Sequence, residues 1–214
     1  MEWISLISIP IAWLLGSVPS AFIVAKYIGK VDIRDEPDGR ISAAAVYRRV
    51  GRNPFLLVVV MDIGKGALAV LIAQWLGAAA EIVMLAGIVA IASHQWSIFL
   101  KFQGGLGSTA MAGTLVCVAT VPVVIGAVAA AGLVYATKKS TVSFAIGILV
   151  IIAQLFAMQW SLMPALLILI ANPSLPPPFT AYHLLIVYPL VLLLMMFLKN
   201  MQIRYRPGAP LKIK

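Results

Sequence analysis

Ser93-His94-Gln95-Trp96-Ser97-Ile98-Phe99-Leu100-Lys101-Phe102-Gln103-Gly104-Gly105-Leu106-Gly107-Ser108-Thr109-Ala110 is the stretch where two apolar runs meet. The first run ends at His94. An aromatic piece with one cation, Lys101, follows, then a turn with three glycines in four positions, and a new apolar run opens at Ser108. Glycines let the backbone turn sharply and point N–H groups outward. A helix starting at Ser108 and Thr109 adds its positive end to the same place. Gly104, Gly105 and Gly107, with Lys101 and His94, therefore form a candidate phosphate cradle between two helices. Glycines at the ends of membrane helices also serve close packing alone, so the cluster by itself does not choose between the two uses.

Outward from this stretch, composition fixes the class. The chain has 214 residues, 62% hydrophobic and 11% charged, with a mean hydropathy of +1.03. A soluble domain has about half apolar and about a quarter charged residues. The chain therefore reads as an all-α integral membrane protein, a single polytopic domain over residues 1–214. Its net charge of +9 does not point to nucleic acid, because the cations fall between apolar runs. Cys117, the single cysteine, sits in an apolar run and has no partner for an internal disulfide. Glu2 and the lack of a basic start argue against a secretory leader, so the first apolar run is expected to stay as an anchor.

A spanning helix needs about 20 apolar residues. Trp3 to Ala25 fits the first span, with a kink expected at Gly16-Ser17-Val18-Pro19. Residues 26–53 are the long polar stretch, with Lys26, Lys30, Arg34, Arg40, Arg48, Arg49 and Arg52 against Asp32, Asp35, Glu36 and Asp38. Phe55 to Leu76 is the second span. It carries Asp62 and Lys65, which share a helix face. Charges at that depth face the protein interior or a wet cavity, and these two either pair for structure or build a site. Ala78 to Ala92 is the third span. Beyond the glycine turn lie the long run Ser108 to Tyr135 with Pro122 near its middle, then Thr141 to Met158, short Ser161 to Ala171, a proline-rich loop over 172–178, Tyr182 to Leu198, and a basic tail over 199–214.

Lys and Arg favour the cytoplasmic side of short loops. Loops 26–53, 93–107 and 137–140 and the tail 199–214 are thus expected there, and the opposite ends carry no Lys or Arg at all. All four basic regions share a side only if Ser108–Tyr135 makes two passes and Thr141–Thr180 one. That gives about seven transmembrane helices, N-terminus outside and C-terminus cytoplasmic. Trp96 on the inner side and Trp3, Trp75 and Trp160 on the outer fit aromatic belts. The cations, His94 and the glycine turn then gather at the cytoplasmic membrane surface. That setting suits an anionic ligand with a greasy tail, since Lys and Arg hold phosphates by charge and Arg also by paired hydrogen bonds. For the loop arginines, enforcing topology is the plainer use.

Leu15-Gly16-Ser17-Val18-Pro19, Asp32-Ile33-Arg34, Arg48-x-x-Gly51, Asp62-x-x-Lys65-Gly66 and His94-x(4)-Phe99-Leu100-Lys101-Phe102-x-Gly104-Gly105-x-Gly107 together resemble the bacterial acyl-phosphate glycerol-3-phosphate acyltransferase family, the PlsY family. Order and spacing match from Gly16 to about Ala112, roughly half the chain. The resemblance implies transfer of a fatty acyl group from acyl phosphate to glycerol 3-phosphate. The products would be lysophosphatidic acid for phospholipid synthesis and phosphate. It implies no metal and no cofactor, with membrane lipid around the chain in the cytoplasmic membrane and no nucleic acid; it leaves the oligomeric state open. Carried over, the catalytic candidates are His94, Lys101 and Lys65. Ser17, Arg34, Arg40, Arg48, Gly104, Gly105 and Gly107 are the substrate- and phosphate-binding ones.

The loop after Asp32-Ile33-Arg34 departs from that pattern. The family has Gly-Ser-Gly-Asn-x-Gly-Ala-Thr-Asn where this chain has Pro37-Asp38-Gly39-Arg40-Ile41-Ser42-Ala43-Ala44-Ala45. Asp38 puts a negative charge where a phosphate is expected, and Arg40 could offset it. Gln103 and Leu106 replace lysines beside the glycines. Ser93 and Ser97 replace a glycine and a proline. The tail has Lys199, Asn200, Arg204 and Arg206 in place of a His-Arg-x-Asn run. The alternative expectation is therefore a degenerate relative that binds lipid or a partner without turnover. An unrelated transporter would thread charges through several spans, and only Asp62 and Lys65 lie within one.

Overall fold

The computed structural model describes residues 2–34, 41–138, 140–159 and 182–204. Arg40, Asp38, Trp160, the apolar run 161–171, the proline-rich loop and the end of the tail lie outside the described residues. The described residues form helices and no strand. Five helical stretches are long and apolar enough to cross a membrane: Trp3–Tyr27, Arg52–Trp75, Ala80–Leu100, Thr120–Thr137 and Ile186–Ile203. Ser108–Val118 and Ala145–Gln154 are shorter apolar helices. The chain forms two compact units, one from Met1–Thr114 with Met195–Lys214, the other from Leu115–Leu194.

In the first unit, α1 (Glu2–Ser5), α2 (Ser8–Ser17) and α3 (Ser20–Tyr27) make up the first apolar stretch. Pro10 sits in the first turn of α2, where its missing N–H costs nothing. Pro19 ends that helix. It forces Val18 into an extended backbone, φ −56° and ψ 117°, because a residue before proline clashes in the helical region. Ser42 caps α4 (Ala43–Arg49), its hydroxyl accepting from the Ala45 N–H. This short helix buries Ala43, Ala45 and Val46 against Val24, Ala25, Ile33, Ile41 and Val58 and leaves Tyr47, Arg48 and Arg49 exposed. Next come α5 (Arg52–Trp75), α6 (Ala80–Gln95), a single 3₁₀ turn at Ile98–Leu100, and α7 (Ser108–Val118). Small residues set the crossings. A Cβ on Gly16 would overlap the Ala90 carbonyl of α6, and one on Gly66 the Ala110 carbonyl of α7.

In the second unit, α8 (Thr120–Thr137) turns through Lys138 and runs back as α9 (Ser140–Gln159). The pair meets at Gly126 and Gly147, where a Cβ on Gly147 would stand 2.8 Å from the Gly126 carbonyl oxygen. Gln154 Nε2 donates to the Pro122 carbonyl at 3.4 Å. The long run Ser108–Tyr135 is thus two helices, broken at Ala119 (φ −149°, ψ 67°). The break agrees with Pro122, whose ring would strike the Val118 carbonyl in a continuous helix and which sits in the first turn of α8 without that clash. The last helix, α10 (Tyr182–Arg204), carries on past Leu198, so Lys199 belongs to a helix and not to a tail.

Candidate functional site

Two charges buried in the first unit organise its centre. The Lys65 side chain is 6% exposed and that of Asp62 3%, with Nζ 2.8 Å from Asp62 Oδ1. Lys65 Nζ also donates to the Val18 carbonyl at 3.0 Å and to Ser20 Oγ at 3.1 Å. An ammonium has three protons, and these acceptors use all three. Ser20 Oγ in turn donates to Asp62 Oδ1, and Thr109 Oγ1 donates to Oδ2 at 3.0 Å. One carboxylate thereby ties α3, α5 and α7 together. The helix break at Pro19 makes this possible, because it frees carbonyls that an unbroken helix would use. Val18 O takes a proton of Lys65, and Ser17 O accepts from Ser97 Oγ at 2.6 Å. Lys65 does not snorkel to the surface.

His94 stands at the edge of this centre, its side chain 11% exposed and Nδ1 3.8 Å from Asp62 Oδ1. The glycine turn lies on the end of α6. A Cβ on Gly104 would overlap the His94 carbonyl, and one on Gly105 would come within 2.7 Å of His94 Nε2 and 2.9 Å of the Ile41 carbonyl. The turn is reached through Lys101 and Phe102, both left-handed at φ 52° and 61°. Such non-glycine geometry costs of order 1–3 kcal/mol per residue and collects at functional sites. Between the turn, the break in the first span and His94 lies an open pocket lined by Ser17, Val18, Pro19, Ser20, Ala21, Ile41, His94, Ser97, Leu100, Gly104 and Gly105. Ser17 is fully buried, and its hydroxyl has no hydrogen-bond partner. A buried hydroxyl without a partner costs about 1–3 kcal/mol, a cost that a bound ligand would remove.

Of the residues expected from sequence, Ser17, His94, Gly104 and Gly105 line the pocket together. Lys65 stands behind it, committed to internal acceptors. Gly107, at φ 83°, is buried against Gln95. Lys101 and Arg48 are exposed. Arg34 is half exposed and held by Asp32, with Nε 2.9 Å from Oδ2, and it lies over the Phe22 ring at 5.2 Å. That bonding guanidinium keeps the Asp32 carboxyl below the usual carboxylate range. Sequence reasoning gave Ser20, Ser97 and Thr109 no bonding role at the site, because their partners are distant in the chain. It also set Lys199 aside as tail. Lys199 is buried in α10, its Nζ 5.1 Å above the Trp96 ring and donating to Gln202 Oε1 at 3.3 Å. Trp96 Nε1 donates to the same Gln202 oxygen at 3.2 Å. Among the described residues no three or more His, Cys, Asp or Glu gather to hold a metal.

Chemically, the pocket offers a histidine, serine hydroxyls and glycine backbone next to apolar walls. Comparisons give this arrangement a context. Residues 6–204 match the family described as Glycerol-3-phosphate acyltransferase. The chain is 43% identical over 114 residues to glycerol-3-phosphate acyltransferase 2 of Moorella thermoacetica, covering 53% of this chain and 58% of that one. It is 35% identical over 125 residues to glycerol-3-phosphate acyltransferase 4 of Dehalococcoides mccartyi, covering 58% and 54%. The chain thus spans about half the length of the curated relatives it matches. A crystal structure of PlsY (YgiH), an integral membrane glycerol 3-phosphate acyltransferase in its glycerol 3-phosphate form, superposes with a TM-score of 0.75 at 19% identity, over 92% of this chain and 88% of that one. Its lysophosphatidic acid form gives 0.73 at 18% identity. At those identities the likeness is one of fold.

Proposed function

The chain belongs to the glycerol-3-phosphate acyltransferase family, and from that premise we propose that it moves a fatty acyl group from acyl phosphate to a hydroxyl of glycerol 3-phosphate. In that reaction the hydroxyl oxygen attacks the acyl carbonyl carbon. The bond from that carbon to the phosphate oxygen breaks, phosphate leaves, and the hydroxyl proton goes to a base. His94 is the candidate base, held at the pocket edge near Asp62. The observation that carries the reading is Ser17, which lines the same pocket as His94 and the glycine turn and whose buried hydroxyl has no hydrogen-bond partner. Ser17 meets the reacting groups, the N–H groups around Gly104, Gly105 and Gly107 receive phosphate oxygens, and Lys101 and Arg48 supply charge from the exposed side. Arg34 and Arg40 are further phosphate contacts. Lys65 takes a positioning role, because its donors are already used. The chain would lie in the cytoplasmic membrane with seven passes, N-terminus outside and the pocket on the cytoplasmic side.

A second reading keeps the fold without the turnover. Ala44 and Ala45, in the first turn of α4, offer only methyl groups where the family pattern carries Thr and Asn. Phosphate release from palmitoyl phosphate by the purified protein in lipid, with and without glycerol 3-phosphate, separates the two. Acceptor-dependent release is expected, with a loss of about 100-fold in Lys101→Ala, the scale of one preorganised charge contact. Folded wild-type protein that releases nothing above background would sink the acyltransferase reading and leave the second.

A further inference from the structure

Gln95 closes α6, directly after His94. It is fully buried, and its Nε2 donates to the Leu106 carbonyl, in the middle of the glycine turn, at 3.0 Å. Its carbon chain and amide stand 3.5 Å from the place a Cβ on Gly107 would take. Its own backbone carbonyl lies beneath Gly104, 2.8 Å from where a Cβ there would sit. Its other amide atom, Oε1, is buried with no hydrogen-bond partner. That combination is telling. A buried amide that makes one bond and leaves an acceptor unsatisfied gives the fold little or nothing, because the lost solvation of the orphan group outweighs a single neutral hydrogen bond. A leucine of similar size would serve packing better. The amide is therefore best explained by what it holds.

We infer that Gln95 is the positioning residue of the glycine turn. By fixing the Leu106 carbonyl inward, it sets the direction of the Gly107 N–H in the same peptide unit, and with it the register of the turn that carries Gly104 and Gly105 past His94. This rests on the proposed function, in which that turn receives phosphate. A peptide unit has its C=O and N–H on opposite sides, so tethering the carbonyl to the interior directs the N–H of Gly107 outward.

The test compares wild type, Gln95→Leu and Gln95→Glu in lipid nanodiscs. Melting without ligand is followed, with kcat and KM for palmitoyl phosphate and glycerol 3-phosphate. Gln95→Leu is expected to melt within about 2 °C of wild type or above it, yet to lose tenfold or more in kcat/KM, the scale of a lost preorganised donor. Gln95→Glu carries the needed donor only when protonated. Its activity relative to wild type should therefore rise several-fold from pH 8 to pH 5.5, a change that a merely structural role would not produce. Wild-type kinetics in Gln95→Leu would overturn the inference. So would a variant that unfolds, or a pH-independent Gln95→Glu. If wild type itself does not turn over, the proposed function fails first. The inference is then read from the rise in melting temperature with palmitoyl phosphate. A rise in wild type that is halved or more in Gln95→Leu supports the inference, and an equal rise, or none in wild type, overturns it.

Discussion

Lys65 shows how one residue can be visible in a sequence while its task is not. A lysine three positions after an aspartate inside an apolar run announces a pair, and the pair is there at 2.8 Å. Its other partners were out of reach of pattern reading. Ser20 lies 42 residues from Asp62, Thr109 lies 47 away, and Val18 is 47 residues from Lys65. No spacing rule connects such positions; only the packing of three helix ends around the middle of α5 does. The energetic consequence is testable. Asp62→Ala would leave the Lys65 ammonium buried without its counter-charge, a loss of about 3–5 kcal/mol. Adding Lys65→Met should recover most of that loss, because an apolar pair of similar volume removes both charges. Denaturation midpoints of the two variants in detergent check this, and an Asp62→Ala protein as stable as wild type would show that the pair does not hold the helices together.

At the scale of elements, the prolines were the most informative letters. Pro19 and Pro122 each mark a break, and both breaks are where steric exclusion puts them, at Val18 and Ala119. The end of α10 was less legible. A lysine after an apolar run suggests an exit into water, but Lys199 is covered by Gln202 of its own helix and by Trp96, which lies about a hundred residues earlier in the chain. Close contacts between elements also went unread, because any helix can carry a glycine. Here they sort the glycines. Gly105→Ala drives a methyl into His94 Nε2 and the Ile41 carbonyl and should cut turnover at least tenfold while the protein still folds. Gly64→Ala meets nothing within 4 Å and should be neutral or stabilise α5 by up to about 1 kcal/mol. Activity and melting of the two variants, measured side by side, decide whether the contact or the mere loss of a glycine matters.

For the whole molecule, composition was enough to read a membrane protein, because a charge content of 11% leaves a soluble surface uncovered, and the length of the apolar runs then pointed to helices. The count of passes is a finer matter. It depends on whether the break at Ala119 turns the chain back, and charge bias is the physical signal for that. Single cysteines at Ala79, Tyr47 and Lys138, in a chain with Cys117 replaced, test it in intact cells with an impermeant maleimide. Ala79→Cys should label from outside, whereas Tyr47→Cys and Lys138→Cys should label only after permeabilisation. Outside labelling at Lys138 would mean that residues 108–135 cross once, and would remove the seven-pass layout. Lys65 also bears on the molecule as a whole, through ionic strength. Lys65, buried behind the pocket, already donates all three of its protons within the protein, so under the proposed function an arriving phosphate would be drawn by the exposed Lys101 and Arg48. Exposed charges are screened over about 8 Å in physiological salt and about 30 Å at 0.01 M. Capture of anionic substrate should therefore weaken as salt is added, seen as a rising KM, while the melting temperature set by the interior pair stays level.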